Sequence, residues 1–323
     1  MKKQETIFLT GGSGFIGKHF REIAANLGYR VFILSRKNIE IYSNETLIKG
    51  SLENYIDWNL PDQDIQYVVH LAGEKNNEQN MKSINVDAVA IMIDFTLGLN
   101  EARFIHMGSA GVYGIAHHPE TVIDERSNVF PLNRYELTKY EADLCIQNKS
   151  KESSLNYVIL RPTNVFGIEE PSFKLLNLMR SIKRNIFFIV DPKAMVNYVG
   201  VKTLCKHLFE AFTILKPGTI YNVNNPCNIS EFYRIIKDAI EGETKAPKKL
   251  PGLLHGLFRI ACKVGDYFPR KWQIINSGKY RELTDRRYID SRLLQAFAGE
   301  DQFMELKEEI NELVRWYKKQ NLL

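Results

Sequence analysis

A parallel, doubly wound α/β sheet with a smaller, mainly helical C-terminal portion is the fold class predicted by this 323-residue sequence. Three observations lead there. Short apolar, β-prone runs alternate with helix-patterned stretches through the first half of the chain. A glycine-rich turn joins the first such run to the first helix. Beyond Gly167 the alternation loosens.

The composition is that of an ordinary soluble domain, with 44% apolar and 25% charged residues, and the length suffices for one large core or two modest ones. A net charge of +5 suits an anionic ligand. The basic residues are scattered, so no nucleic-acid partner is expected. Cys145, Cys205, Cys227 and Cys262 show neither C-x-x-C nor metal-like spacing, which predicts reduced thiols and no metal site. No apolar run approaches the roughly 18–20 residues that span a bilayer. Met1-Lys2-Lys3 leads almost directly into the first strand, leaving no room for a signal peptide. The expected location is the cytoplasm.

Ile7-Phe8-Leu9 forms the first strand, and His19 to Leu27 is helix-patterned; between them lies Thr10-Gly11-Gly12-Ser13-Gly14-Phe15-Ile16-Gly17. Glycine supplies backbone angles that other residues resist. It also clears side chains from the helix N-terminus, where free N–H groups and the helix dipole favour a pyrophosphate. The turn reads as a dinucleotide site, with a purely structural βα turn as the plain alternative. Tyr29 to Leu34 is a second strand, tipped by Ser35-Arg36. An acid at that tip would accept hydrogen bonds from a ribose 2′-hydroxyl. None stands there, and Arg36 offers a guanidinium fork to a 2′-phosphate. NADP is therefore preferred over NAD.

Leu47 to Leu52 is a short third strand with a turn. Gln66 to Leu71 is a fourth, entering His70-Leu71-Ala72-Gly73, whose small residues let a loop pass close to the cofactor. A lone histidine ending an apolar strand is more often packed than chemical, so His70 is assigned to the core. Met81 to Leu99 is helical and carries Asn85. Arg103 to Met107 is a fifth strand, closing with Gly108-Ser109-Ala110-Gly111-Val112-Tyr113-Gly114. Arg134 to Gln147 is a helix, and Asn156 to Leu160 is a sixth strand ending at Arg161-Pro162. Right-handed crossovers would gather all these strand ends on one edge, around the ligand.

Past Gly167, Ser172 to Arg184 is helical, Ile186 to Val190 a short strand, Val201 to Thr213 a helix and Thr219 to Val223 a strand. Ser230 is the expected N-cap of the next helix, with Glu231 in its first turn. Glu241 to Leu250 breaks the pattern. Within Leu250 to Phe268, an apolar stripe of Leu253, Leu254, Leu257, Phe258, Ala261 and Val264 accompanies Arg259 and Lys263, one turn apart. The stripe is expected to cover the substrate cleft or pack on the core; docking on an anionic membrane or a partner is the alternative. A last helix, around Phe303 to Lys319, carries Leu306, Ile310, Leu313 and Trp316 on one face.

Tyr135 and Lys139 stand one helical turn apart on a shared face. A nearby ammonium stabilises phenolate and lowers a tyrosine pKa toward the working range of a general acid/base. Tyr198…Lys202, Tyr233…Lys237 and Tyr267…Lys271 repeat the spacing. Position decides among them: only Tyr135 begins a helix after the fifth strand, soon after Ser109.

T-G-G-S-G-F-I-G at 10–17, H-L-A-G at 70–73, G-S-A-G-V-Y-G at 108–114 and Y-E-L-T-K at 135–139, with L-R-P-T-N-V-F-G at 160–167 and Y-N-V-N-N at 221–225, resemble the extended short-chain dehydrogenase/reductase family. The likeness covers nearly the whole chain and points to the nucleotide-sugar epimerases, dehydratases and 4-keto reductases. It implies a Rossmann-type dinucleotide domain over residues 1–167, completed by 198–240, and a substrate-binding portion from 168–197 and 241–323. It implies that Ser109 holds the reacting oxygen, Tyr135 exchanges its proton, and Lys139 tunes Tyr135 and binds the nicotinamide ribose. Asn85 would support the nicotinamide side and Asn164 would sit at the mouth of the substrate cleft. Gly11, Ser13, Gly14, Phe15, Ile16, Gly17, Ser35, Arg36, Leu71, Ala72, Gly73, Pro162 and Thr163 would complete the cofactor site. Ser51, beside Leu52, replaces the family's usual carboxylate near the adenine. Many relatives dimerise through the helices that hold Asn85 and Tyr135, so a homodimer is expected.

Two departures narrow the chemistry. The family's dehydratases carry an Asp-Glu pair just after the serine or threonine; Ala110 and Gly111 stand there, which disfavours dehydration. Relatives that grip a sugar diphosphate often carry Arg where Val196 stands, leaving Lys174, Arg180, Lys183, Arg184 or Arg281 as candidate cations. The expected activity is that of a nucleotide-sugar 4-epimerase or 4-keto reductase using NADP or NAD. One alternative is a reductase of an apolar alcohol or ketone, as in the 3β-hydroxysteroid dehydrogenase branch. The other is a non-catalytic dinucleotide-sensing protein, against which the set Ser109, Tyr135 and Lys139 argues.

Overall fold

The computed structural model describes residues 4–114, 121–242, 247–267, 276–299 and 306–323. Phe268, Lys271 and Phe303, named above, lie outside the described residues, as does the side chain of Leu253. In chain order the elements are β1 (Thr6–Thr10), α1 (Phe15–Asn26), β2 (Arg30–Ser35), β3 (Glu45–Lys49), β4 (Tyr67–His70), α2 (Glu78–Lys82), α3 (Ala88–Leu97), β5 (Arg103–Met107), β6 (Val122–Ile123), α4 (Arg134–Glu152), β7 (Asn156–Pro162) and β8 (Asn164–Phe166). They continue with α5 (Lys174–Lys183), β9 (Met195–Val196), β10 (Tyr198–Gly200), α6 (Val201–Thr213), β11 (Thr219–Val223), β12 (Cys227–Asn228), α7 (Ile229–Glu241), α8 (Gly252–Gly265), α9 (Ser277–Thr284), β13 (Tyr288–Ile289), α10 (Arg292–Ala298) and α11 (Leu306–Lys319).

Seven strands form one parallel sheet in the order β11-β7-β5-β4-β1-β2-β3. The order reverses between β1 and β4, the crevice where such sheets take their ligands. Each inner strand is buried on both faces, as a helix-covered parallel sheet requires. Ile7 and Leu9 join Phe20, Leu204, Leu208 and Phe212 under α1 and α6, whereas Phe8 joins Val89, Met92, Phe104 and Ile146 under α3 and α4. Ring stacking reinforces the first face, with Tyr67 and Phe212 centroids 4.0 Å apart.

A second core lies among α5, α7 and α11, where Leu176, Met179, Phe232, Ile236, Ile310 and Leu313 meet. Helix α7, part of the 198–240 segment, thus packs in this second core. The lobes are stitched together at one helix end. Glu309 of α11 accepts hydrogen bonds from Thr203 Oγ1 and from the N–H groups of Lys202 and Thr203 at the start of α6, and a Cβ at Gly200 would overlap its carboxylate.

Several local expectations change. Ile186 to Val190 forms no strand; among the described residues it makes a single bridge, Ile189 to Lys249, with no neighbouring strand to extend the ladder. The cap of α7 is Asn228, which accepts from Glu231 N at 2.9 Å; Ser230 Oγ instead donates to Pro192 O. The Met81 to Leu99 helix is interrupted by a π-turn at Ser83–Asp87 that contains Asn85. Finally, the α8 stripe is turned outward. Leu254, Leu257, Ala261 and Val264 are exposed, because the inward side is formed by His255, Phe258, Cys262 and Gly265.

Candidate active site

The glycine turn presses against the end of β4. Gly11 has φ +73°, and a Cβ there would fall 2.6 Å from Ala72 N; a Cβ at Gly17 would reach the Gly11 carbonyl. Helix α1 begins at Gly14 with no side-chain cap and no acid in its first turn, so its N–H groups and dipole are uncompensated. Backbone alone forms this cradle, and it fits a pyrophosphate. Phe15 and Ile16 pack on the core below, while Ser13 is exposed.

Beside the cradle, Arg36 is exposed at the tip of β2, and Ser35 Oγ is used within its own turn by Lys37 O and Lys37 N. Ser51 follows β3; its carbonyl accepts from Trp58 Nε1 at 2.8 Å, and Leu52 packs beside it. Across the crevice, Thr163 N donates to Val223 O, Pro162 ends β7, and the exposed Asn164 donates to Asn197 O. Sequence-assigned cofactor positions from β1, β2, β4 and β7 therefore stand along one edge of the sheet.

Ser109, Tyr135 and Lys139, the residues expected to react, stand where β5 meets α4. Ser109 caps the short 3-10 turn at Ala110–Tyr113 through Gly111 N, 3.1 Å away. Asn133 caps α4 through Glu136 N, which sets Tyr135 on the first turn facing the strand ends. Burial raises the Tyr135 pKa above the ordinary phenol range; a hydrogen bond with Ser109 draws it back and the Glu136 carboxylate adds to the rise. Lys139, one turn on, is buried and donates to Met107 O at 2.8 Å. Burial lowers its pKa to about 8, against the pull of Asp143. In this arrangement the Lys139 ammonium is held by the β5 carbonyl, and desolvation is the largest influence on the phenol.

Asn85 is a brace. Its Oδ1 accepts from Glu74 N, and its Nδ2 donates to Glu74 O and Thr138 Oγ1, tying the β4–α2 loop to α4. Glu74 then accepts from the N–H groups of Lys75, Asn76 and Asn77, which holds its carboxyl below the usual range. The loop so fixed carries Lys75 over the Tyr135 ring, 5.6 Å from its centroid. Gly73 borders the same place, since a Cβ there would lie 3.4 Å from Lys139 Nζ.

Behind Lys139 runs a buried polar chain. Arg161 Nε donates to Asp143 Oδ2 at 2.8 Å, and its Nη1 donates to the Tyr113 hydroxyl, which donates to Asn222 Oδ1. His70 is fully buried on Thr10 Oγ1 and stacks on His106, 5.6 Å away. Sequence reasoning missed Lys75, Asp143 and Arg161. A spacing signal did exist for Asp143, which follows Lys139 as Lys139 follows Tyr135.

The other Tyr…Lys pairs lead elsewhere. Tyr198 stacks on Phe232 and Lys202 pairs with Glu312. Tyr233 is buried and Lys237 pairs with Glu241. Val196 is buried against Cys227. Of the candidate phosphate cations, Arg180 donates to Leu322 O, whereas Lys174 stands near enough to Lys75 to depress its pKa after burial has done so. All four cysteines are free thiols.

Fold and site together define a dinucleotide-binding α/β protein with hydroxyl, phenol and ammonium groups at its crevice. The chain belongs to the NAD dependent epimerase/dehydratase family, whose model matches residues 7–223; it is an enzyme of the extended short-chain dehydrogenase/reductase type. It is 24% identical over 266 residues to the dTDP-D-glucose 4,6-dehydratase of Bos taurus, covering 72% of this chain and 73% of that one. Among solved structures, the UDP-glucose 4-epimerase of Thermotoga maritima, solved with UDP-glucose, superposes with a TM-score of 0.69 at 19% identity, covering 98% of this chain and 99% of the other. The dTDP-glucose 4,6-dehydratase of Bacillus anthracis, in complex with NAD, gives 0.71 at 18%, covering 99% and 100%. Among the described residues no helix is long and apolar enough to cross a membrane.

Proposed function

We propose that this enzyme transfers hydride to and from a nucleotide sugar, as a 4-epimerase or 4-keto reductase, with Ser109, Tyr135 and Lys139 at its reaction centre. The observation that supports this reading is the meeting of the Ser109 and Tyr135 hydroxyls, with Lys139 one helical turn on and bordering Gly73, one loop away from the glycine cradle. A nicotinamide dinucleotide supplies or accepts the hydride when bound. Ser109 holds the sugar oxygen, Tyr135 gives its proton to that oxygen in the reducing direction, and Lys139 steadies the phenolate left behind. The dTDP- and UDP-sugar enzymes among its relatives support the substrate class. Asn164, exposed at the cleft mouth, and Lys174 favour a substrate with polar, anionic parts. The exposed Arg36, with no acid at the β2 tip, favours NADP over NAD. A cytoplasmic homodimer formed through the helices that hold Asn85 and Tyr135 completes the reading.

Tyr135→Phe tests it. Turnover of a UDP- or dTDP-sugar panel should fall at least about 100-fold, the low end for a lost general acid, while dinucleotide binding persists. Unchanged turnover would overturn the assignment. Arg36→Ala should erase any preference for NADP, and light scattering should give twice the chain mass.

Elimination of water is a second reading, favoured by Glu136. A Cβ at Gly111 would lie 3.2 Å from Ser109 Oγ and 3.6 Å from Glu136 Oε1, so the carboxylate lies beside the place that a side chain at 111 would take. A carboxylate there can remove a proton from the carbon next to a carbonyl. A 4-keto-6-deoxy product that disappears in Glu136→Gln would establish it.

A further inference from the structure

We propose that the hairpin of α8 and α9 docks on an anionic membrane surface. Leu254, Leu257, Ile260, Val264 and Tyr267 are 40, 62, 59, 52 and 91% exposed. The spacing of three or four sets Leu254, Leu257, Ile260 and Val264 along one side of the helix, and Tyr267 follows just past its end. Single exposed apolar residues are ordinary, but a contiguous row marks an interaction surface. Arg259 and Lys263 flank the row, and no carboxylate occurs from 250 to 265. The opposite side is already used: Cys262 is buried, and the Phe258 ring lies 6.1 Å from that of Tyr280 on α9.

The occupant follows from charge and length. Two copies meeting along this row would bring Arg259 and Lys263 against each other's cations, whereas anionic headgroups complement them. A helix of 14 residues is about 21 Å long, short of the roughly 30 Å hydrocarbon core, so it lies in the interface plane. The hairpin springs from the substrate lobe. Leu250 N donates to Ile189 O at its start, and past its end Met195 N donates to Asp285 O and Arg286 pairs with Asp191. Docking would therefore hold the Val196 side of the cleft against the bilayer. This inference rests on the hairpin surface and is independent of the hydride-transfer reading.

Co-sedimentation of the full chain with vesicles of phosphatidylglycerol and phosphatidylcholine tests it, with pure phosphatidylcholine vesicles as the comparison. Binding should favour the anionic vesicles, weaken with added salt, and fall about fivefold for Arg259→Gln or Lys263→Gln, the ~1 kcal/mol of one near-surface cation. Leu257→Asp/Ile260→Asp should abolish it while circular dichroism and dinucleotide binding stay unchanged. No binding to the anionic vesicles, or equal binding by the double variant, would overturn the proposal. So would a lipid-free dimer that the same double variant dissociates, which would assign the face to a second copy.

Discussion

The Lys75 ammonium stands 5.6 Å from the centroid of the Tyr135 ring, on a loop pinned from one side by Glu74 and from the other by Asn85. A cation over a phenol face favours the ring most when the ring is charged. Burial raises the Tyr135 pKa and the Ser109 hydrogen bond lowers it; the cation above the ring is expected to favour the phenolate as well. Lys75→Met should lower kcat by about two- to thirtyfold, the ~0.5–2 kcal/mol of such a contact. The same change should move the phenol-dependent limb of the pH profile upward, and Lys75→Arg should restore both. An unmoved profile with a raised KM alone would show that Lys75 serves the substrate and not the phenol.

Lys139 gives a second pH signature. With its pKa held at about 8, the ammonium is present below that pH and is lost above it. Reductive kcat should therefore decline as pH rises through about 8. Lys139→Arg keeps its charge throughout and should carry that decline to higher pH, as a stopped-flow pH series would read out.

Acid stability should report the buried histidines. Burial, aided by Lys139, brings His70 to about 3 and His106 well below the usual value. The unfolded chain takes up protons near the ordinary histidine pKa while the folded chain does not. Stability is then lost as pH falls from about 6.5 toward 3, by about 1.4 kcal/mol per pH unit for each histidine. His106→Asn should remove one proton's worth of that slope in urea melts.

The glycine cradle makes a stricter prediction. Gly11→Ala meets both a positive φ and the Ala72 backbone at 2.6 Å, so dinucleotide binding should be lost and the melting temperature should fall. Gly28→Ala, at φ +79° but with nothing within 4 Å, should lower the melting temperature less and leave binding intact.

The sheet was legible because its inner strands are buried on both faces and read as largely apolar runs, and because α6 keeps a helical period. That Tyr135 begins a helix after β5 and Ser109 was legible in the order of the motifs. What escaped depends on partners distant in sequence. The Ile186–Val190 run is β-prone, but strand identity requires a neighbouring strand, and among the described residues it pairs through one bridge, Ile189 with Lys249. The α8 stripe shows helical period without showing which side the rest of the molecule will cover. Lys75 is one cation in an aperiodic loop, and only the Glu74 and Asn85 bonds give it a direction.

The Glu309 contact with the start of α6 bears on how the chain matures during synthesis. The carboxylate that satisfies Thr203 arrives 106 residues after it, so a growing polypeptide leaves that helix end without its partner until α11 has been made. The nucleotide-binding half would finish assembling only once α11 has joined it, and a chain cut ahead of that helix would leave the start of α6 without its carboxylate.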